Sequence, residues 1–285
     1  MRETTTNMEN EAGIVQRLRD LSEKNRKETT LERINSFLEK QYNTPVPYKQ
    51  KPGHSPSGLG AKCLRKIYYN YFKVEKDIAT DVKSARIFAT GDAYEDLVMV
   101  WLKAVGEHIP YVNKSNGKIP INRRTGLLDP QFPISYPDYG VRKGLIDNVA
   151  YDSSNELWTY EIKSSKAEKF DKLTQPMPEH LIQAGIYLKA MIKMLKEGSF
   201  DHIKAIKKGD LPKGVKYIYV NKNTSELKIF EIKLAQFSNI YRQLDAKMNR
   251  IKKYTEPKIL PPKTNDYCAW CPFRIKCKQE WNDII

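Results

Sequence analysis

Two acids and a lysine stand at spacings that a pair of neighbouring strands would bring together: Asp147 in Gly144-Leu145-Ile146-Asp147, and Glu161 and Lys163 in Glu161-Ile162-Lys163. The turn-rich Asp152-Ser153-Ser154-Asn155 separates the two runs, so Tyr139–Tyr151 and Leu157–Ser164 are expected to form a hairpin. If the turn spans Asp152 to Glu156, Tyr151 pairs with Leu157 and Asp147 falls opposite Glu161 on one face. Lys163 shares that face, because side chains alternate along a strand. Neighbouring carboxylates raise each other's pKa unless a cation lies between them. Mg2+ or Mn2+ suits such oxygen donors and keeps several waters, one of which can attack a phosphodiester. Lys163 would orient that water or offset charge developing on the phosphate. No Ser, Cys or His nucleophile is needed, and His54, His108, His180 and His202 are scattered along the chain.

Glu-x-Lys alone says little in a chain so rich in lysine, and Glu-Ile-Lys recurs at 231–233. That second copy lacks an acidic partner on its hairpin, since Asp210 precedes Leu211-Pro212 ahead of the strand, and it reads as a solvated sheet face. Cys268, Cys271 and Cys277 form C-x2-C-x5-C, with Cys63 far upstream. If the fold brings the ends together, they supply four thiolates. Zinc held by four thiolates usually shows two C-x2-C knuckles, whereas a [4Fe-4S] cluster does not require them. Spacing alone is compatible with iron-sulfur, zinc or unliganded buried thiols.

The elements that must position these residues lie in a chain of 285 residues with 49 Lys plus Arg against 34 Asp plus Glu, a net charge of +15. Residues 1–40 hold eight basic and eight acidic side chains, so the surplus lies in 41–285 and points toward a polyanion. The longest apolar run, Leu97–Leu102, is far short of the ~20 residues of a membrane span. Met1–Asn10 is polar where a secretory signal would be apolar, so a cytoplasmic location is expected, and four cysteines are too few for a disulfide scaffold. Glu11–Tyr42 reads as two helices, an N-terminal arm. Asn43–Gly60 reads as a linker or extended loop. Helices are expected from Ser57 to Phe72, carrying Cys63 and a core-facing Tyr68, Tyr69, Tyr71 and Phe72, and from Ala85 to Val105. After the hairpin come a helix at Glu179–Glu197, strands at Gly214–Val220 and Leu227–Ile232, and a basic amphipathic helix at Ala235–Tyr254 with Arg242, Lys247, Arg250, Lys252 and Lys253. This order implies a mixed α/β core with helices packed on a central sheet.

Gly91-Asp92-Ala93-Tyr94-Glu95, Gly144-x-x-Asp147, Glu161-x-Lys163 and Gln183-x-x-x-Tyr187 follow one another in an order that resembles the RecB-like branch of the PD-(D/E)XK nuclease superfamily. With the cysteines and Cys63-Leu64-Arg65-Lys66-Ile67-Tyr68-Tyr69, the chain resembles the iron-sulfur subgroup, which includes CRISPR-associated adaptation nucleases and AddB-type repair subunits. The likeness covers residues 55 to 280 or so. It implies a restriction-endonuclease-like core with a central mixed sheet, a domain spanning 46–285 behind an arm at 1–45. Asp147, Glu161 and Glu95 would hold Mg2+ or Mn2+, Lys163 would be the catalytic lysine, and Gln183, Tyr187, Arg65 and Lys66 would meet DNA. Many members carry His where this chain has Glu95, which keeps an oxygen ligand and leaves the choice of metal open. A [4Fe-4S] cluster on Cys63, Cys268, Cys271 and Cys277 would staple the first helix of the core to its last segment. The implied activity is a metal-dependent DNA exonuclease acting on single strands or ends in recombination, repair or replication. Its competitors are a structure-specific or sequence-specific endonuclease and a non-catalytic DNA-binding subunit. A helicase, recombinase or other replication or repair protein is the expected partner, with the charge-balanced arm as its contact.

Overall fold

The structure, a computed structural model, describes residues 29–43, 51–121, 128–262 and 268–282. The chain divides into a small unit, residues 1–44 with 80–85, and a larger one, 45–79 with 86–285. In the small unit, helix α1 (Thr30–Asn43) begins at a reciprocal cap: the Glu32 carboxylate accepts from Thr29 N at 2.7 Å, and Thr29 Oγ1 accepts from Glu32 N at 3.3 Å. Its last residue, Asn43, exchanges side-chain hydrogen bonds with the backbone of Thr80 at 2.7 and 2.9 Å. The helix expected from Glu11 lies outside the described residues.

The larger unit runs α2 (Pro56–Leu59), α3 (Leu64–Tyr71), α4 (Val82–Ala104, its first turn in the small unit), β1 (Phe132–Tyr136), β2 (Val141–Ile146), β3 (Asn148–Tyr151), β4 (Leu157–Ser165), α5 (Ala167–Asp171), α6 (Pro178–Lys196), β5 (Gly214–Asn221), β6 (Leu227–Lys233), α7 (Ser238–Thr255) and α8 (Arg274–Asn282). Strands β3-β4-β5-β6 form one sheet, antiparallel except for the parallel β4/β5 pair, and β1/β2 form a separate antiparallel pair. A parallel pair needs a crossover, which α6 supplies. Residues of β4 alternate: Trp158, Tyr160 and Ile162 pack with Val98 and Leu102 of α4, while on the other face Ala184 and Leu188 of α6 cover Tyr217 and Tyr219 of β5. Every residue of β5 is buried, as expected of a strand covered on both faces, whereas the edge strand β6 exposes Leu227, Ile229 and Glu231. The fold is therefore the mixed α/β arrangement expected, a central mixed sheet flanked by helices. No described helix is long and apolar enough to cross a membrane.

Several boundaries differ from expectation. The helix expected over Ser57–Phe72 is two helices, because Gly60 ends α2 where a Cβ would stand only 3.1 Å from the Glu179 carbonyl oxygen, and Cys63 is the extended residue that precedes α3. Residues 51–60 are not a free linker: His54 is buried and donates its backbone N–H to Gly140 O, and Gly53 N donates to Tyr71 O, both at 2.9 Å. The strand expected over Tyr139–Tyr151 starts only at Val141, after a 3-10 turn at Pro137–Tyr139 and a left-handed Gly140 (φ 62°), and it breaks at Asp147. Its partner β1 was not foreseen, although Phe132, Ile134 and Tyr136 alternate inward. The last long helix is preceded by a 3-10 turn at Leu234–Phe237.

Candidate active site

The hairpin pairs Tyr151 with Leu157 and continues to Asn148 opposite Tyr160, so the expected register holds along β3. Asp152 organises the turn, its Oδ1 accepting from Ser154 N at 3.0 Å and Glu156 N at 3.1 Å. One residue further back the ladder stops. At Asp147 the chain bends away so that β2 can pair with β1, and Asp147 is no longer a backbone partner of Glu161. Its carboxylate bridges the gap: Oδ2 accepts from Ile162 N at 2.7 Å, which returns the side chain to β4. Lys163 Nζ lies 2.5 Å from Glu161 Oε1 and 4.0 Å from Asp147 Oδ2. Two acids and one ammonium group therefore converge where the sequence places them, through a bend rather than a continuous ladder.

Glu161 is the least comfortable of the three. It is 1% exposed, and neither carboxylate oxygen has a hydrogen bond of good angle, so the close Lys163 ammonium acts on it as an ion pair alone. A buried carboxylate without such partners is costly. Burial pushes the Glu161 carboxyl above its ordinary range against the pull of Lys163, and burial likewise raises Asp147. Burial opposes the charge on Lys163, yet the surrounding carboxylates hold its ammonium well above the usual lysine range. Glu95 arrives from α4, with Gln131 Nε2 donating to its Oε1 at 2.5 Å. Burial, then the Asp147 charge, pushes Glu95 up to about 9. Gly91, one turn earlier, faces β4, where a Cβ would stand 3.7 Å from Ser164 Oγ, an ordinary contact distance.

On α6, Gln183 Nε2 donates to the Tyr187 hydroxyl at 3.3 Å. Tyr187 is buried, and burial together with the Glu161 and Asp147 charges raises its hydroxyl above the ordinary tyrosine value. Gly144 makes room for it, since a Cβ there would stand 2.8 Å from Tyr187 Cε1. His180, one turn before Gln183, carries neither a metal nor a proton role in the sequence reading. Its Nδ1 lies 2.7 Å from the Tyr219 hydroxyl, and burial, then the Lys163 charge, depresses it to about 4. The second Glu-Ile-Lys is as expected: Glu231 is exposed and pairs with Lys216 at 3.2 Å.

Arg65 is not the DNA contact expected. It is 2% exposed, its Nε donates to Pro261 O at 2.9 Å, and its Nη1 reaches the Cys277 carbonyl at 3.4 Å and Sγ at 3.5 Å. Lys66 beside it is half-buried. With Tyr69 against Phe273 (5.1 Å between ring centroids) and Lys276 N donating to Asp77 Oδ2 at 2.8 Å, Arg65 docks the C-terminal segment on α3. Cys63, Cys268, Cys271 and Cys277 all line one cavity of about 1150 Å³, whose walls also include Lys66, Lys247 and Arg274. Burial raises the Cys271 thiol, and the charges of Cys63 and Cys277 act on it in the same direction. Among the described residues, no group of three or more His, Cys, Asp or Glu side chains converges tightly enough to form a finished metal site, at the carboxylates or at the thiols. The donor chemistry nonetheless suits each group: buried, unsatisfied carboxylate oxygens for a hard divalent ion, four thiols around one cationic cavity for a sulfur-ligated centre.

Sequence reasoning missed Gln131, because no pattern links it to Glu95 across 36 residues. It missed the His180–Tyr219 pair as well, although His180, Gln183 and Tyr187 share one helix face. A family model described as the PD-(D/E)XK nuclease superfamily matches residues 103–278. Two solved structures are similar to this chain: SSO0001, at 15% identity and TM-score 0.44, covering 87% of this chain and 96% of that one, and a "Putative exonuclease" from Eubacterium rectale, at 12% identity and TM-score 0.43, covering 86% and 93%. No curated protein sequence matches the chain.

Proposed function

The chain belongs to the PD-(D/E)XK nuclease superfamily, and from that premise we propose that it is a metal-dependent DNA exonuclease of the RecB-like, iron-sulfur kind, cutting phosphodiester bonds at ends or in single strands during recombination, repair or replication. The observation that carries the reading is Glu161: a buried carboxylate whose oxygens lack hydrogen bonds, facing Asp147 and a single ammonium group. Asp147, Glu161 and Glu95 would hold Mg2+ or Mn2+. When bound, such an ion supplies a polarised water and a counter-charge for the phosphate oxygens. Asp147 is fixed by the Ile162 amide, and Gln131 orients Glu95. Lys163 keeps its proton and offers a positive charge to the phosphate, while Tyr187 and Gln183 shape the path of the strand.

The four cysteines support a [4Fe-4S] cluster in preference to zinc, because their thiols surround one cavity and only one C-x2-C knuckle is present. The segment they would tie down is already docked by Arg65, so the cluster reinforces an existing contact. A broad visible absorption with acid-labile sulfide in the purified protein supports it; colourless, zinc-containing protein overturns it. Residues 1–45 would contact a helicase, recombinase or similar protein.

Digestion of end-labelled linear and closed circular single strands with Mg2+ or Mn2+ tests the activity. The expected result is metal-dependent loss of linear DNA with circles intact, and a loss of ~100-fold or more in rate on Lys163→Ala. Cutting of circles converts the reading to an endonuclease. Binding without cutting converts it to a non-catalytic subunit, and equal rates for wild type and Lys163→Ala reject the site.

A further inference from the structure

A second cavity, about 710 Å³, is lined by Lys51, Lys73, Arg142, Lys143, Gly144 and Tyr187, with no Asp or Glu among the described residues of its walls. Arg142 and Lys143 lie on β2, the strand that ends at Asp147. Tyr187 belongs to both places: its ring forms a wall of the cleft over Gly144, and the charges of Glu161 and Asp147 act on its hydroxyl. Tyr187 and strand β2 thus link the cleft to the carboxylate cluster. Lys73 is engaged, donating to Gly53 O at 3.0 Å. Lys51, Arg142 and Lys143 form no ion pair with any described carboxylate. Elsewhere the same fold does neutralise its lysines, as at Lys216, which meets both Asp152 and Glu231 at 3.2 Å. Cations gathered around one cleft with no counter-charge repel each other, and a polyanion relieves that repulsion while releasing its own counterions. The volume is within the ~300–1,000 Å³ common for ligand sites.

We infer that this cleft is a phosphate subsite, in which Arg142, Lys143 and Lys51 take the phosphates of the strand adjoining the bond that is cut. The inference rests on the reading of the chain as a DNA nuclease and adds the surface along which the strand enters. The phosphate is supplied either by internal phosphodiesters or by a terminal phosphate.

Binding of the full chain to a fluorescent single-stranded oligonucleotide, measured by anisotropy in EDTA over a salt series, separates this inference from the nuclease reading, because no cutting is required. The double variant Arg142→Ala/Lys143→Ala should weaken binding about tenfold and flatten the plot of log K against log salt by about 1.4, at ~0.7 per lost phosphate contact on single strands. The charge-conserving Arg142→Lys/Lys143→Arg should keep the slope, and Lys204→Ala/Lys208→Ala, which removes the same charge from an exposed segment, should leave affinity and slope within twofold of wild type. An affinity loss confined to oligonucleotides bearing a 5′- or 3′-phosphate assigns the cleft to a strand end; an equal loss on unphosphorylated strands assigns it to internal phosphodiesters. Unchanged affinity and slope in the Arg142/Lys143 variant, or an equal loss in the Lys204/Lys208 variant, overturns the inference. Wild type that binds but never cuts refutes the nuclease reading while leaving the subsite standing.

Discussion

Replacing Glu95 by Gln should make the metal-free protein more stable at neutral pH, and the size of the gain follows from the site. Glu95 titrates at about 9 in the fold instead of the ordinary 4.5, raised by burial and by Asp147. Between these values the folded state binds a proton that the unfolded chain has released, so stability falls as pH rises from 4.5 toward 9. At about 1.4 kcal/mol per pH unit, the two and a half units to pH 7 set an upper bound of ~3.5 kcal/mol. Solvent reaching this partly exposed side chain brings the expected effect to about 1–2 kcal/mol. Gln has the same shape, its Oε1 can still accept from Gln131 Nε2, and it carries no charge to be repelled. At roughly 2–4 °C per kcal/mol for a chain of this size, Glu95→Gln should melt about 2–8 °C higher than wild type at pH 7.5 in EDTA, and the advantage should vanish near pH 4.5. Scanning calorimetry at several pH values reads both. Added Mn2+ should raise the melting temperature of wild type more than that of the variant. A variant that melts at or below wild type at pH 7.5, or an advantage that does not change with pH, would refute the argument that Glu95 is held next to buried like charge.

Other substitutions probe the scaffold around the site. Gly144→Ala places a Cβ within 2.8–2.9 Å of Tyr187, Ile134 and Pro56, and should cost ~1–3 kcal/mol by overpacking, visible as a lower denaturant midpoint with an unchanged slope. Arg65→Met leaves the carbonyls of Pro261 and Cys277 without their donor and should cost ~1–3 kcal/mol, with faster proteolysis behind residue 261, while Lys66→Met should stay within ~0.5 kcal/mol. Glu231→Gln, in the second Glu-Ile-Lys, should leave DNA cleavage at the wild-type rate; a loss comparable to that of Lys163→Ala would mean the wrong tripeptide has been assigned.

What the sequence makes legible is local. The Tyr151–Leu157 pairing follows from turn residues that set a loop length, and strand alternation then carries Glu161 and Lys163 to one face. Helix α6 is equally plain in its apolar spacing. The bend at Asp147 is only half legible: Asp147-Asn148 is a turn-prone pair, but it lies inside a strand-like run and says nothing of a change of strand partner. It arises from a change of partner, β2 leaving the main sheet for β1, and that competition is settled by tertiary packing of Phe132, Ile134 and Ile146. Arg65 shows the same limit from the other side. Next to a lysine in a basic chain it suggests phosphate, but its place between the buried Leu64 and Ile67 already points inward, and the carbonyls that receive it lie about two hundred residues away.

The bend at Asp147 also explains how the fold tolerates so much buried acid. On a continuous ladder, Asp147 would spend its backbone on β4 and point its carboxylate at Glu161 with no donor of its own. By leaving the sheet, the chain frees the Ile162 amide, and Asp147 Oδ2 accepts from it. One carboxylate is thereby satisfied by the backbone, and Gln131 satisfies one oxygen of Glu95. Glu161 alone is left to Lys163, and a single ammonium cannot neutralise three acids at once. Burial raises all three carboxyls, and the Asp147 charge adds to it at Glu95 and Glu161, so protons and a divalent cation would compete for the same oxygens. The dense apolar packing of Trp158, Tyr160 and Ile162 on the opposite face of β4 offsets the cost, at burial values worth ~1.5–3 kcal/mol per large side chain, and Glu161 accordingly sits on an interior strand and not on the exposed edge strand β6.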